Sequence, residues 1–268
     1  MERTVNATAE NAFPTGPGTL TADLTGRVAV VTGASSGLGA RFAELLARSG
    51  ATVVAAARRK ERLEELAARV PGIVPAVCDV TDDASRRELL RTALAQTGRV
   101  DVLVNNAGHG YQKAALDETV EEFEGILALN LTATFALAVL FAREMISAGG
   151  GSIINLASIL GLVAAHPTSQ ASYVAAKSGV VGLTRDLGVQ WAPHGVRVNA
   201  LAPGWFPSEA TDEMFTDERS HRWLVRNTPM GRGGRTGELD GALLLLASDA
   251  STFMTGQTVT VDGGWTVR

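Results

Sequence analysis

A tyrosine and a lysine four residues apart have the types and spacing needed for proton transfer. Tyr173 and Lys177 lie in the segment "ASYVAAKSGVVGLTRDLGVQWA", and on a helix this spacing places both side chains on one face. A phenol has a pKa near ~10, and a neighbouring ammonium lowers that pKa by favouring the phenolate. The pair could therefore move a proton near neutral pH, although alone it more often means a packed tyrosine beside a solvated lysine.

A serine before this helix favours the catalytic interpretation. Ser158 ends the apolar strand "SIINLAS", and open α/β sheets bind ligands at the carboxyl ends of their strands. A hydroxyl at that place could hold a carbonyl oxygen and stabilise the negative charge that develops on it.

A glycine-rich turn near the start of the chain has the features of a dinucleotide site. Gly33, Gly37 and Gly39 in "VVTGASSGLGARF" follow G-x-x-x-G-x-G spacing, which differs from the general G-x-G-x-x-G fingerprint. A strand precedes the turn and an amphipathic helix follows it, so free N–H groups could bind a pyrophosphate. A glycine turn without a ligand is the alternative for the isolated motif.

The end of the second strand bears on which dinucleotide is bound. In "TVVAAARRKERL" the strand closes on Ala57, where an Asp or Glu would bind both ribose hydroxyls of NAD. Arg58 follows and could bind the 2′-phosphate of NADP. We expect NADP(H) to be preferred, with NAD(H) as the alternative because Ser36 in the glycine turn adds no charge. We expect Arg59 and Lys60 to be solvated and paired with glutamates, which is also the alternative for Arg58.

Short β-branched runs alternate with segments of helical period from Arg27 onward. This alternation predicts βαβ units with a parallel sheet. We expect an α/β fold, a Rossmann-type doubly wound parallel β-sheet of about seven strands with helices on both faces. The predicted strands are "RVAVVT", "TVVAAA", "IVPAV", "DVLVN", "GSIINLA", "RVNALA" and "TVTV".

Composition excludes several classes of protein. The 268 residues suit one domain, and the net charge of -4 disfavours nucleic acid as a partner. The single Cys78 fits a cytoplasmic protein, and no His/Cys cluster predicts a metal site. The longest apolar run, "ATFALAVLFA", is shorter than the roughly 20 residues of a membrane span, so we expect no membrane association.

The expected organisation is an arm followed by one domain. Residues 1–23 are predicted to be a flexible N-terminal arm, and residues 24–268 a single catalytic domain with a substrate lid around 205–236. The long segments 118–147 and 171–192 are apolar around their circumference, which favours coverage by another subunit.

Several short motifs occur in a recognisable order. "TGASSGLG", "NNAG", "YVAAK", "PG" and the final "VDGGW" together resemble the short-chain dehydrogenase/reductase family over about residues 24–268. The resemblance implies NAD(P)-dependent hydride transfer between a carbonyl and a secondary alcohol on a small or medium-sized molecule. With the apolar helices, it also implies a homotetramer.

The resemblance implies a catalytic tetrad of Asn130, Ser158, Tyr173 and Lys177. In it, Asn130 lets the backbone hold a water that links Lys177 to solvent. Two departures affect the substrate loop. Ala157 replaces the first serine of the usual pair, and "ILGLVAAHPTSQAS" is about two residues longer than usual.

The resemblance also implies cofactor contacts around the glycine turn and after the strands. They are Gly33, Ser35, Ser36, Gly37, Leu38, Gly39, Arg58, Asp79, Val80, Asn106, Ala107, Gly108, Tyr173, Lys177, Pro203, Gly204 and Ser208. Asp79 could equally be a helix N-terminal acid.

Histidines and aromatic residues supply the substrate candidates. We expect His109, His166, Trp205 and Phe206 to contact the substrate. Tyr111, Leu160, Met214, Phe215 and Trp223 are further candidates for pocket or lid, and most of these residues could instead belong to the core or an interface.

Two other functions stay open. A 3-oxoacyl-carrier-protein reductase would present basic residues to its acidic carrier, but "REMISAGGGS" has one arginine, and only the arginines at 222, 226, 232 and 235 support that function. A non-catalytic nucleotide sensor would need only the glycine turn, so the presence of serine, tyrosine and lysine favours an enzyme.

Overall fold

Seven parallel strands form one sheet in the computed structural model, which describes residues 20–209 and 211–268. The strand order is β3-β2-β1-β4-β5-β6-β7, so the chain reverses direction across the sheet beside β1. All seven predicted strands are confirmed. They are β1 Val28–Thr32, β2 Thr52–Ala57, β3 Ile73–Val77, β4 Val102–Asn105, β5 Gly151–Leu156, β6 Val196–Pro203 and β7 Thr258–Val261.

Helices connect the strands and cover the sheet. They are α1 Gly37–Arg48, α2 Lys60–Arg69, α3 Asp83–Thr97, α4 Val120–Leu127, α5 Ala133–Ser147, α6 Ala171–Trp191, α7 Asp212–Thr216, α8 Glu218–Asn227 and α9 Asp240–Ala247. A π-helical turn, Ala128–Thr132, joins α4 to α5 without a break in the helix.

The five inner strands are buried on both faces, which is why they read as continuous apolar runs, whereas the edge strands β3 and β7 are only partly buried. Alternate residues of β1 enter two separate cores. Val31 packs with Phe42 of α1 in the core that α1, α2 and α9 cover. Val30 packs with Phe141 of α5 in the core that α3, α5 and α6 cover. The doubly wound arrangement is therefore confirmed.

The helical segment Val120–Ser147 is, among the described residues, the one long and apolar enough to cross a membrane by length and composition. Leu137, Phe141 and Met145 on this segment are buried against the sheet. A core helix of a Rossmann-type domain passes the same composition test, so its packing accounts for its apolar character.

The structure describes the predicted lid, apart from residue 210, but only the end of the predicted arm. Residues 1–19 of the arm lie outside the described residues, while Leu24 is buried in the core. The lid region contains α7 and α8, and so is more regular than the sequence suggests. Trp205 and Trp223 pack there with Trp265, with ring centroids 5.2 to 6.0 Å apart.

Candidate active site

The carboxyl ends of the central strands open into a cavity of about 620 Å³, within the range of small-molecule sites. Most of the predicted site residues meet there. The predicted residues that line it are Gly33, Ser36, Gly37, Leu38, Gly39, Asn106, Ala107, Gly108, His109, Ser158, Tyr173, Lys177, Pro203, Gly204, Trp205, Phe206 and Ser208.

Other predicted residues lie outside this lining. Arg58 and Asp79 lie near each other, and the pKa of Asp79 is lowered mainly by hydrogen bonds from Thr81 and further by the charge of Arg58. Val80 is buried in the core. The structure does not bring His166 to the cavity, because its loop leaves that side chain exposed.

Helix α6 places Tyr173 and Lys177 as the spacing predicts. Lys177 Nζ lies 5.6 Å from the centre of the Tyr173 ring. The lysine is only 4% exposed, and its Nζ donates a hydrogen bond of 2.7 Å to the carbonyl oxygen of Leu156 at the end of β5. Burial lowers the pKa of Lys177 to about 8, so this ammonium exchanges protons close to neutral pH.

The pKa of Tyr173 shifts in the direction opposite to our expectation. Burial raises it, and the interaction with the Ser158 hydroxyl opposes that rise without overcoming it. Desolvation disfavours the phenolate more strongly than the protein's own groups favour it. The phenol therefore keeps its proton at neutral pH, which is the form that donates to a carbonyl oxygen.

Ser158 lies directly beyond β5 and is nearly buried. Its Oγ accepts a hydrogen bond of 3.1 Å from the N–H of Leu160. The Leu160 N–H occupies one of the two acceptor lone pairs of this oxygen and leaves the hydroxyl proton available to donate to a substrate oxygen. Ser158 and Tyr173 thus form a donor pair at one end of the cavity.

Asn130 is fully buried behind the cavity, in the π-helical turn. Its Nδ2 donates to the carbonyl oxygen of His109 at 2.9 Å, whereas its Oδ1 has no hydrogen-bond partner among the described residues. A Cβ on Gly108 would overlap this Oδ1 and lie 3.5 Å from Lys177 Nζ. Isolated π turns are common at functional sites, and the water-holding role of Asn130 stays a prediction.

The glycine turn has the backbone geometry that an anion site needs. Gly33 and Gly37 have φ of +68° and +53°, values that other residues rarely adopt. A Cβ on Gly39 would overlap the Gly33 carbonyl oxygen. Ser36 precedes α1 without a side-chain capping bond, so the first N–H groups of α1 face the cavity as donors. These features fit the pyrophosphate of a dinucleotide.

Thr32 joins this turn to the segment after β4, a role that sequence reasoning missed. Its Oγ1 accepts hydrogen bonds from the N–H groups of Asn106 at 3.0 Å and Ala107 at 3.1 Å. Asn106 Nδ2 donates in return to the Thr32 carbonyl oxygen at 2.9 Å. The two cofactor segments are therefore held together at the switch point of the sheet. Buried threonines are common in strands, so no sequence signal marked this one.

Arg59 is exposed and pairs with a glutamate, as expected, but the glutamate belongs to a distant segment of the chain. Its guanidinium donates to Ser35 Oγ at 3.0 Å and to Ser36 Oγ at 2.6 Å. It also forms an ion pair with Glu209 at 3.2 Å. Lys60 does pair with a glutamate of its own helix, at 3.5 Å, as expected.

Further polar residues line the substrate end of the cavity. The sequence analysis missed Gln112 and Gln170 because each lies in an irregular loop. A β-bridge between Lys113 and Gln170 brings the two loops together. Trp205 Nε1 is buried without a hydrogen-bond partner among the described residues. Of the additional candidates, Tyr111, Leu160 and Met214 line the cavity, whereas Phe215 and Trp223 do not.

Comparison with known proteins identifies the family. A family model described as enoyl-(acyl carrier protein) reductase matches residues 33–266. The 2-dehydro-3-deoxy-D-gluconate 5-dehydrogenase of Dickeya dadantii is 36% identical over 251 residues, which cover 92% of this chain and 98% of that protein. The chain belongs to the short-chain dehydrogenase/reductase family.

Other members of the short-chain dehydrogenase/reductase family are similarly close. The 3-oxoacyl-[acyl-carrier-protein] reductase of Thermotoga maritima is 36% identical, with 90% of this chain and 98% of that protein covered. A gluconate 5-dehydrogenase structure from Burkholderia cenocepacia, in complex with NADP and tartrate, is 37% identical, with a TM-score of 0.86 and coverage of 92% and 97%. This protein is accordingly an NAD(P)-dependent oxidoreductase that interconverts a carbonyl and a secondary alcohol.

Proposed function

We propose that this protein reduces a small, polar ketone with NADPH and carries out the reverse oxidation with NADP. The observation that carries the proposal is the meeting of Ser158, Tyr173 and Lys177 in one cavity with the glycine turn. The bound nicotinamide supplies or accepts the hydride.

The protein's own groups position the oxygen and move the proton. Ser158 and Tyr173 donate hydrogen bonds to the carbonyl oxygen and stabilise the charge that develops on it. Tyr173, which burial keeps protonated, then gives its proton to that oxygen. Lys177, with a pKa of about 8, exchanges protons between Tyr173 and solvent, and Asn130 lies behind it in the relay.

The preference for NADP(H) is supported by the end of β2. Ala57 offers no carboxylate to repel a phosphate, and Arg58 follows it with a positive charge near Asp79. A guanidinium binds phosphate through charge-assisted, often bidentate hydrogen bonds.

A polyol or a sugar acid is the substrate class that the cavity supports best. Gln112 and Gln170 add hydrogen-bonding amides to its substrate end, and a site with polar groups favours a ligand that pairs with them. Relatives are named as dehydrogenases of gluconate, D-threitol and galactitol.

Reduction of carrier-bound acyl chains stays a second candidate because of the Thermotoga maritima relative. Two of the arginines that favoured it are already paired. Arg222 forms an ion pair with Glu218, and Arg232 forms one with Glu238. Those side chains would have to exchange these acids for an acidic carrier protein.

We also propose a cytoplasmic homotetramer. Phe135 and Val189 are exposed apolar residues on α5 and α6, and burial of such residues favours association. Cys78 is a buried free thiol, in keeping with a reducing compartment. Small-angle scattering that returned a monomer mass would contradict the tetramer.

The test follows oxidation of NADPH, and separately of NADH, with keto-sugar acids, ketoses and a 3-oxoacyl thioester. We expect turnover of the polyhydroxylated ketones with NADPH and a loss of about 10²- to 10⁴-fold in Tyr173→Phe, the range for removal of a general acid. Tyr111→Phe is the matched control, since Tyr111 donates its hydroxyl to Glu118 at 2.9 Å and should keep most of the kcat. Equal turnover by wild type and Tyr173→Phe would refute the assigned proton donor.

A further inference from the structure

Glu209 lies at the rim of the cavity and holds Arg59 against the glycine turn. Glu209 and Ser36 both line the cavity. The carboxylate receives hydrogen bonds of 3.2 Å from two nitrogens of Arg59 and one of 3.0 Å from Ser36 Oγ. Because Arg59 also donates to Ser36 Oγ, the three side chains form a closed ring.

The ring brings a second arginine to the cofactor end of the site. Arg59 immediately precedes α2, yet its side chain makes no capping bond to that helix. It reaches instead to Ser35 and Ser36, which come directly before α1. The glycine turn has no basic residue of its own, and Arg59 supplies this missing charge from the neighbouring strand end.

The Glu209 carboxylate in this ring can also be replaced by another anion. The side chains of Arg59 and Glu209 are 45% and 62% exposed, and ion pairs this exposed contribute little to stability. Hydrogen bonds from Arg59 and Ser36, together with the charges of Arg59 and Arg62, lower the pKa of Glu209, so the carboxylate is an anion at neutral pH. A phosphate monoester carries more negative charge and three acceptor oxygens, so it competes well for the same guanidinium.

We propose that Glu209 is a built-in competitor of the 2′-phosphate of NADP(H), and that it sets the strength of NADP over NAD preference. When a 2′-phosphate binds, it replaces the Glu209 carboxylate on Arg59. A cofactor with a free 2′-hydroxyl leaves the ring intact. The inference rests on the proposed use of NADP(H), and it concerns Glu209 and Arg59 in addition to the role of Arg58.

Calorimetric titration with 2′,5′-ADP and 5′-AMP tests the exchange, because the two ligands differ by the 2′-phosphate alone. We expect Glu209→Gln to lower the Kd of the full-length protein for 2′,5′-ADP by about two- to five-fold, the scale of one exposed ion pair. The Kd for 5′-AMP should stay unchanged. Glu213→Gln is the matched control, since this exposed acid of α7 forms no ion pair with any described residue.

A double-mutant cycle separates direct exchange from a general field effect. In an Arg59→Gln background, Glu209→Gln should no longer tighten 2′,5′-ADP. The inference is overturned if Glu209→Gln tightens both ligands equally, weakens 2′,5′-ADP, or acts as strongly without Arg59.

The same titrations distinguish this inference from the proposed function. If wild type binds neither 2′,5′-ADP nor NADPH, the proposed use of NADP(H) fails, and the inference fails with it. If wild type binds both, and Glu209→Gln leaves their Kd values unchanged, only the inference is overturned.

Discussion

Replacing the buried Lys177 by methionine should stabilise the fold while it abolishes turnover. Lowering a lysine pKa from 10.5 to about 8 corresponds to about 3 kcal/mol against the charged form. Methionine has a similar length but loses the hydrogen bond to the Leu156 carbonyl oxygen, which costs about 1 kcal/mol. At pH 7 we therefore expect Lys177→Met to be about 2 kcal/mol more stable than wild type.

The pH dependence gives this prediction its sign. The folded-state pKa of Lys177 lies below the unfolded-state value, so between about pH 8 and 10.5 the unfolded state binds more protons. The buried charge of Lys177 destabilises the folded wild type fully below about pH 8. This destabilisation decreases as the pH rises and is absent above pH 10.5. The advantage of Lys177→Met should accordingly shrink by about 1.4 kcal/mol per pH unit above pH 8.

Urea unfolding at pH 7, 8, 9 and 9.5, at one fixed protein concentration, measures this difference. Other titrating groups cancel when the two proteins are compared. Lys60→Met is the control, because Lys60 is exposed, and its removal should change stability by less than about 0.5 kcal/mol at every pH. A Lys177→Met protein that is less stable than wild type at pH 7, or a difference that does not vary with pH, would refute the burial argument.

Two further predictions concern the glycine turn and a buried ion pair. Gly39→Ala should abolish binding of NADPH in a fluorescence titration, because its Cβ would overlap a backbone carbonyl oxygen, whereas Gly125→Ala, with open space around it, should bind normally and gain about 0.5–1 kcal/mol. Asp240→Asn should lower the free energy of unfolding by about 3–5 kcal/mol, because it leaves the buried Arg41 guanidinium of α1 without its carboxylate. Asp249→Asn, on an ion pair in which the acid is 70% exposed, should cost less than about 1 kcal/mol; equal losses in chemical denaturation would contradict the burial argument.

Local patterns in the sequence determined the fold class and the centre of the site. The inner parallel strands are buried on both faces and the two edge strands only partly, but each strand appears as a short β-branched run, so all seven were predictable. The turn containing Gly33 and the four-residue spacing of Tyr173 and Lys177 each belong to one local element, and their backbone geometry follows from the residues themselves.

Only the tertiary structure decided which charges meet and how far they are desolvated. Arg59 was predicted to pair with a glutamate, but nothing near it in the chain shows that Ser36 and Glu209, 23 and 150 residues away, lie within its reach. The predicted direction of the Tyr173 pKa shift was wrong for a similar reason. The spacing to Lys177 is a local feature of the sequence, whereas desolvation depends on every element packed around the phenol. Pairing and burial are properties of separate segments brought together, so a one-dimensional pattern does not contain them.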